Sequence, residues 1–505
     1  MLHRFLEGTC GDMFTVLHVL PFLQATSDGG FAVCSHECLD SRFGTWGHLD
    51  LLARKRLLMA DLVLNHVSAS HPWVQQFRRG ELPGATMVMA PERLSGWEQV
   101  VRPRSSALFT PVETCNGLRA VWTTFGPDQV DLDWRNPAVL EAFTALLDRF
   151  VQHGVAWIRM DAVGFIWKRN GTPCIHLPET HDLVRSFRVL LEQRLAHGVL
   201  LTETNVPQQE NLSYLDSGDE AHMAYNFPLP PLLLEAMVSG HGDLLNHWLA
   251  RWPDLPAGTT LLNFSACHDG VGLRPLEGLM ETDRLLALLR TCEERGGLVS
   301  HRSHPDGSSS PYEITITWWS AMASSSQQPS HLQLERFLCS QLLVMALPGI
   351  PAFYLPALLT SENDRETYAR TGHRRDLNRE RFRFAALMDR IRNPESSPAR
   401  VLAALRRALQ ERCRCAAFHP EAPLKLLSER RSDLVALRRG VGAEAVVAVH
   451  SLAPDTIRLP WQQLGLDGEY SGPGWLDRLS KRIHRADHPL DIPPYGVLWL
   501  QRLPN

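Results

Sequence analysis

The sequence predicts a (β/α)8 TIM barrel followed by a small all-β domain. Three observations carry that prediction. Short apolar runs alternate with amphipathic helical stretches from residue 15 to residue 354, which is the pattern of βαβ units building a parallel sheet. Seven such runs recur over this length, which favours a barrel over an open sheet. No glycine-rich dinucleotide loop follows any of them, which argues against a doubly wound sheet.

The elements follow in order. Residues 15–22 (TVLHVLPF) read as a strand that leads into a polar, turn-rich loop at 24–31. Residues 57–64 (LLMADLVL) read as the next strand and close on Asn65-His66. The stretch from about 68 to 124 mixes prolines and polar residues with few periodic runs, and reads as an inserted subdomain. Asn136 as N-cap and Pro137 at the first helical position start a helix. Leu140, Phe143, Leu146, Leu147 and Phe150 give that helix its apolar face. Residues 154–164 are a strand, 180–197 a helix, and 198–204 a strand ending at Glu203. Strands follow at 222–227 and 260–264, the latter running on to Cys267-His268-Asp269-Gly270. A helix at 332–347 precedes the last barrel strand at 348–354. Helical sequence covers 398–413. Beyond Pro423 the pattern changes to short alternating strands (LVALRR, AVVAVHSL, GVLWLQ). The predicted division is therefore a barrel domain over 1–422 and a β domain over 423–505. No run ahead of residue 15 reads as a strand, so the barrel is expected to be N-terminally truncated. It would lack its first strand and carry an open seam with two exposed edges.

Bulk properties narrow the function. The chain has 505 residues, 44% of them hydrophobic and 21% charged, which is ordinary for a globular protein. A net charge of -4 gives no electrostatic reason to expect nucleic acid or a membrane as partner. No apolar run is long enough to span a bilayer, and residues 1–14 lack the apolar core of a secretory signal. The ten cysteines are scattered, so free thiols in a reducing cytoplasm are expected. Cys34-x3-Cys38 and Cys413-x-Cys415 have no matching second pair at zinc spacing. No metal site is predicted. The expected partners are small molecules, and the expected assembly is a monomer or homodimer.

The strand ends carry the chemistry. Arg159 and Asp161 lie two apart on an apolar strand, so their side chains share a face. Burying a charge costs several kcal/mol unless it is paired, and two apolar residues would have served a purely structural strand. Asp161, Glu203 and Asp269 are each predicted to close a strand, as are His66 and His268, which is where a barrel places its catalytic groups. Three acids so placed suggest glycoside chemistry. A retaining mechanism needs one ionised carboxylate and one protonated carboxyl, about 5–5.5 Å apart. Arg159 is expected to lower the pKa of Asp161, making it the nucleophile. Glu203 has no cation beside it in sequence and is expected to keep its proton.

These residues also carry a resemblance. Asp61-Leu62-Val63-Leu64-Asn65-His66, Arg159-Met160-Asp161-Ala162, Glu203, and His268-Asp269 resemble, in order, the four motifs of the α-amylase family (glycoside hydrolase family thirteen). The segments WTTFGPDQVDL (122–132), ETNVPQQEN (203–211), EAHMAYNFPLPP (220–231), NFSACHDGVGL (263–273), Pro311-Tyr312-Glu313 and GHRRDLNR (372–379) resemble its sucrose phosphorylase branch. Within it, GTPCIHLPETH (171–181), ETNVPQQEN and EAHMAYNFPLPP are most similar to glucosylglycerate phosphorylases. The resemblance implies Asp161 as nucleophile, Glu203 as acid/base, and Asp269 as the third acid, holding sugar hydroxyls. It implies Asp28, Phe31, His66, Gln129, Arg159, His268 and Arg375 as substrate-binding residues, with Arg375 a clamp and Phe31 against the sugar. The implied reaction is a double displacement from an α-glucoside to inorganic phosphate, with no metal or organic cofactor. The residues themselves do not choose between phosphate and water as acceptor. Sucrose, sucrose 6-phosphate and glucosylglycerol are alternative donors, and a catalytically impaired carbohydrate-binding relative is a further alternative. Arg370, Arg374, Arg379 and Arg381 could serve an anion or could equally be a solvated face. Trp318-Trp319, His176 and His181 read as structural.

Overall fold

The computed structural model describes residues 1–303, 308–324, 331–466 and 474–504. The chain divides into two compact units. The first comprises Met1–Thr204, Gln209–Tyr225 and His301–Pro311; the second comprises Asn205–Gln208, Asn226–Ser300 and Tyr312–Asn505.

The first unit is built on parallel strands β1 (Val16–Val19), β2 (Leu57–Val63), β3 (Val155–Asp161), β4 (Val199–Thr202) and β5 (Met223–Tyr225). They pair in that order, all parallel. β3 is buried along its whole length, as a strand covered on both faces should be. The register sets Asp61 opposite Arg159 and Val63 opposite Asp161. Residues Leu2–Phe5 and Leu6–Cys10 are helical, and no strand precedes β1 among the described residues.

Helix α1 (Pro137–Gln152) precedes β3. Its start is as the sequence predicts: Asn136 accepts a hydrogen bond from the Ala138 amide at 3.1 Å, with Pro137 in the first turn. Val139, Phe143, Leu146, Leu147 and Phe150 are its buried stripe. Helix α2 (Pro178–Arg194) buries Thr180, Val184, Phe187 and Leu191. The inserted stretch is more ordered than its composition suggests. It holds a helix, Pro72–Arg79, and an antiparallel hairpin, Phe109–Thr114 with Gly117–Trp122. Met89, Val100, Trp122 and Cys174 form its small core.

The second unit carries β6 (Thr260–Asn263), paired in parallel with β7 (Ile350–Pro351). The strand predicted over 348–354 is only these two residues long. Pro348 and Pro351 each lack the N–H a longer ladder needs. Helix α3 (Leu229–Ser239) is buried on nearly every side. It has no polar face, hence no helical periodicity to read. Helix α4 (Gln333–Ala346) leaves its last carbonyls to two arginines. Arg412, from helix α5 (Ser397–Cys413), donates to Met345 at 3.0 Å, and Arg439 donates to Ala346 at 2.6 Å. The C-terminal strands form a six-stranded antiparallel sheet that includes Leu434–Arg439, Val446–Ser451 and Val497–Arg502. Its core holds Trp461, Trp475, Val447, Val449 and Leu500. Strand–helix alternation with parallel pairing, then an antiparallel sheet, is the predicted fold class. Among the described residues no helix is long and apolar enough to cross a membrane.

Candidate active site

The centre of the first unit's site is one guanidinium among three carboxylates. Arg159 is 2% exposed. Its Nη1 lies 2.5 Å from Asp61 Oδ1 and 2.7 Å from Asp161 Oδ1. Its Nη2 lies 3.8 Å from Glu203 Oε2. The rings of Phe31 and Tyr225 lie 5.6 and 5.5 Å from the guanidinium carbon, close enough for cation–π attraction. Strand alternation explains the Arg159–Asp161 contact, and the β2–β3 register explains Asp61. Glu203 sits one residue beyond β4. Its Oε2 accepts a hydrogen bond at 3.0 Å from the amide of Ala162, which adopts a left-handed conformation (φ 50°) just past β3. On the far side, His18 Nε2 lies 2.8 Å from Asp61 Oδ2.

This arrangement corrects two expectations. Glu203 is not without a cation, since Arg159 reaches it from a neighbouring strand. Asp161 is not held below the usual carboxylate range. Burial pushes its carboxyl well above that range; Arg159 opposes this, while Glu203 and Asp61 add to it. One positive charge cannot hold three buried carboxylates ionised. The Asp161–Glu203 pair therefore titrates as a unit, and a shared proton leaves one acid ionised and one protonated.

A second group lies against the first. His66 starts a short strand, His66–Ser68, that pairs with Gln129–Asp131. His66 Nε2 is 3.1 Å from both the Phe31 carbonyl oxygen and Gln129 Nε2. Gln129 Nε2 donates to Asp28 Oδ2 at 3.3 Å. Burial lowers the His66 pKa, which favours a neutral ring. The structure thus brings Asp28, Phe31, His66, Gln129, Arg159, Asp161 and Glu203 into one neighbourhood. Beneath them lies a network that the sequence reading missed. Lys168 Nζ is 2.7 Å from Asn65 Oδ1 and from Asp131 Oδ2, and Thr124 donates twice to Asp131, from its amide at 2.9 Å and its hydroxyl at 2.6 Å. Asp131 stands between Val130 and Leu132 with no local pattern to mark it, and its partners Asn65 and Lys168 are distant in sequence.

The second unit holds the other named residues. Arg375 Nη1 lies 2.6 Å from Asp269 Oδ1, and Nη2 lies 3.0 Å from Glu313 Oε2. His268 Nε2 and Arg379 Nη2 are each 3.5 Å from Asp269 Oδ1. Arg379 Nε donates to the His268 carbonyl at 2.7 Å, and Asn378 Nδ2 to the Asp269 carbonyl at 2.8 Å. The prediction that His268 and Asp269 close a strand is not met: β6 ends at Asn263 and they stand on the loop after it. Of the arginine cluster, Arg375 and Arg379 turn to Asp269, whereas Arg370, Arg374 and Arg381 are exposed. Glu313 was quoted only within its motif. It lies in the buried half of Ser309–Thr315 and pairs with Arg375. Trp318 and Trp319 are core residues. His181 is structural, 2.7 Å from Glu220 Oε2 and stacked on Tyr214.

The chain is similar to known proteins. Residues 13–244 match the family described as Alpha amylase, catalytic domain. A glucosylglycerate phosphorylase of Allomeiothermus silvanus is 40% identical over 448 residues, covering 88% of this chain and 80% of that protein. A glucosylglycerate phosphorylase of Spirochaeta thermophila is 36% identical, covering 88% of this chain and 74% of that protein. Among solved structures, sucrose 6F-phosphate phosphorylase from Thermoanaerobacter thermosaccharolyticum superposes with a TM-score of 0.77 at 24% identity, covering 89% of this chain and 90% of that one. The chain belongs to the α-amylase family, in the branch that includes the glucosylglycerate and sucrose phosphorylases.

Proposed function

We propose that this protein is a retaining glucosylglycerate phosphorylase, transferring glucose to inorganic phosphate to give α-glucose 1-phosphate. The observation that carries the chemistry is the Asp161–Glu203 pair bridged by Arg159. Arg159 is closer to Asp161 than to Glu203, which favours the ionised form of Asp161 and leaves the proton on Glu203. Asp161 then attacks the anomeric carbon while Glu203 protonates the departing glycerate oxygen, leaving a glucosyl ester on Asp161. Phosphate attacks that ester's anomeric carbon and gives its proton to Glu203, and Asp161 leaves as carboxylate. Asp28, His66, Gln129 and Phe31 are assigned to the sugar, as are His268, Asp269 and Arg375. The donor is assigned from the glucosylglycerate phosphorylases that match over most of this chain. We further propose a cytoplasmic enzyme that needs neither metal nor organic cofactor, acting as a monomer or homodimer.

The same two carboxylates would serve water, so a hydrolase is the second reading. Incubation with glucosylglycerate, sucrose, sucrose 6-phosphate and glucosylglycerol, each with and without phosphate, decides between them. Phosphate-dependent glucose 1-phosphate from glucosylglycerate is the expected result. Free glucose at a phosphate-independent rate would overturn the phosphorylase reading, and faster turnover of another donor would overturn the donor.

A further inference from the structure

Asp128 has no role in the chemistry above, yet its carboxylate gathers four hydrogen bonds from two segments of the first unit. Oδ2 accepts from the hydroxyls of Thr26, at 2.6 Å, and Ser27. Oδ1 accepts from the Ser68 hydroxyl at 3.0 Å and the Ala69 amide at 3.2 Å. Thr26 and Ser68 hydroxyls are themselves 2.7 Å apart. Hydrogen bonds to an ionised acceptor are stronger than neutral ones, so this carboxylate is a clasp.

The clasped loop carries backbone strain alongside its own hydrogen bonds, Gly30 to Ser27 and Ala32 to Ser27. Directly after Ser27 come Asp28 (φ 51°), Gly29 (φ 67°) and Gly30 (φ 117°), three consecutive residues with positive φ. For the non-glycine Asp28 that conformation persists only when its surroundings impose it. One end of the loop is fixed by close approach: a Cβ on Gly30 would stand 2.6 Å from the Pro21 carbonyl oxygen. Asp128 fixes the other end. It is also the residue before Gln129, whose amide meets Asp28. We infer that Asp128 is a positioning residue that sets Asp28 and Gln129 in register to receive the sugar. The inference rests on the assignment of Asp28 as a sugar ligand.

The test compares three variants in steady-state phosphorolysis of glucosylglycerate, with melting temperature and circular dichroism as fold controls. Asp128→Ala is expected to raise KM about tenfold, as loss of one well-formed interaction does, with kcat changed less than about threefold. The double variant Thr26→Val/Ser27→Ala keeps the carboxylate and removes two of its donors; its KM is expected to rise by a smaller factor. Asp28→Asn is the reference and is expected to raise KM most. A raised KM for Asp28→Asn with normal KM for Asp128→Ala would refute the clasp while leaving the Asp28 assignment standing. Normal KM for Asp28→Asn would remove that assignment and the inference with it. A fall in kcat and melting temperature of Asp128→Ala without change in KM would show a structural role alone, and overturn it. If Asp128→Ala does not fold, the double variant decides, and an unchanged KM there refutes the clasp.

Discussion

At Arg159 the sequence places one cation where three carboxylates compete for it. The consequence for Asp161 is thermodynamic as well as catalytic. Burial raises the Asp161 carboxyl above its ordinary value of 3.8, and because it titrates together with Glu203 the pair keeps one proton in the folded state. Above that ordinary value the folded protein therefore binds more protons than the unfolded chain, so stability falls as pH rises until the pair's proton is lost. Asp161→Asn, which is neutral at every pH, should escape this loss. It is expected to cut kcat by several orders of magnitude, as removal of a nucleophile does, and to melt above the wild type at pH 7. The gap should close as the pH is lowered toward about 4. A clearly lower melting temperature at pH 7 would mean that the Asp161 charge stabilises the fold. His450 provides the opposite case. It is fully buried in the C-terminal sheet, and burial lowers its pKa from 6.5 to about 3, against a hydrogen bond with the Cys339 backbone. Here the unfolded chain binds the extra proton, so stability is lost as pH falls from about 6.5 toward 3. His450→Leu is expected to flatten the acid limb of a melting-temperature profile.

At the scale of elements, the loops around the site depend on Lys168. It is 5% exposed and held by Asp131 and Asn65. Lys168→Met leaves Asp131 as a buried charge without its cation, a loss of about 3–5 kcal/mol, readable as a lower urea midpoint. Elements with a strong local code were legible from sequence. Asn136-Pro137 fixed the start of α1, and the alternation of Arg159 and Asp161 placed both on one face of β3. Elements whose form depends on distant contacts were not. The ladder of His66–Ser68 with Gln129–Asp131 spans more than sixty residues of sequence, and α3 carries two prolines and no polar face. Electrostatics was the least legible layer. Sequence shows the cation next door to Asp161, but not that burial, with the Glu203 and Asp61 carboxylates, outweighs it.

For the whole molecule, the order of strands and helices was readable because each amphipathic pattern is local, whereas the interleaving of the two units is not. The first unit gathers stretches from both sides of the second unit's 226–300 segment, and nothing in composition marks those crossings. The buried oxygens of Asn65 and Asp131 surround an ammonium covalently attached to the chain. Chelation has no ion to remove there. Dialysis against EDTA is therefore expected to leave both turnover and melting temperature unchanged; a drop in either, restored by a divalent cation, would show a metal requirement.

The shared cluster around Arg159 also gives the proposed reaction its own timing. While Asp161 is a carboxylate, its negative charge makes Glu203 a reluctant acid, which keeps the proton in place until the glycosidic oxygen demands it. Once Asp161 becomes a glucosyl ester that charge is gone, and the same Arg159 draws Glu203 toward its ionised form. Glu203 is then ready to accept a proton from the incoming nucleophile. No side chain has to move for the acid to become a base; the covalent bond is the clock.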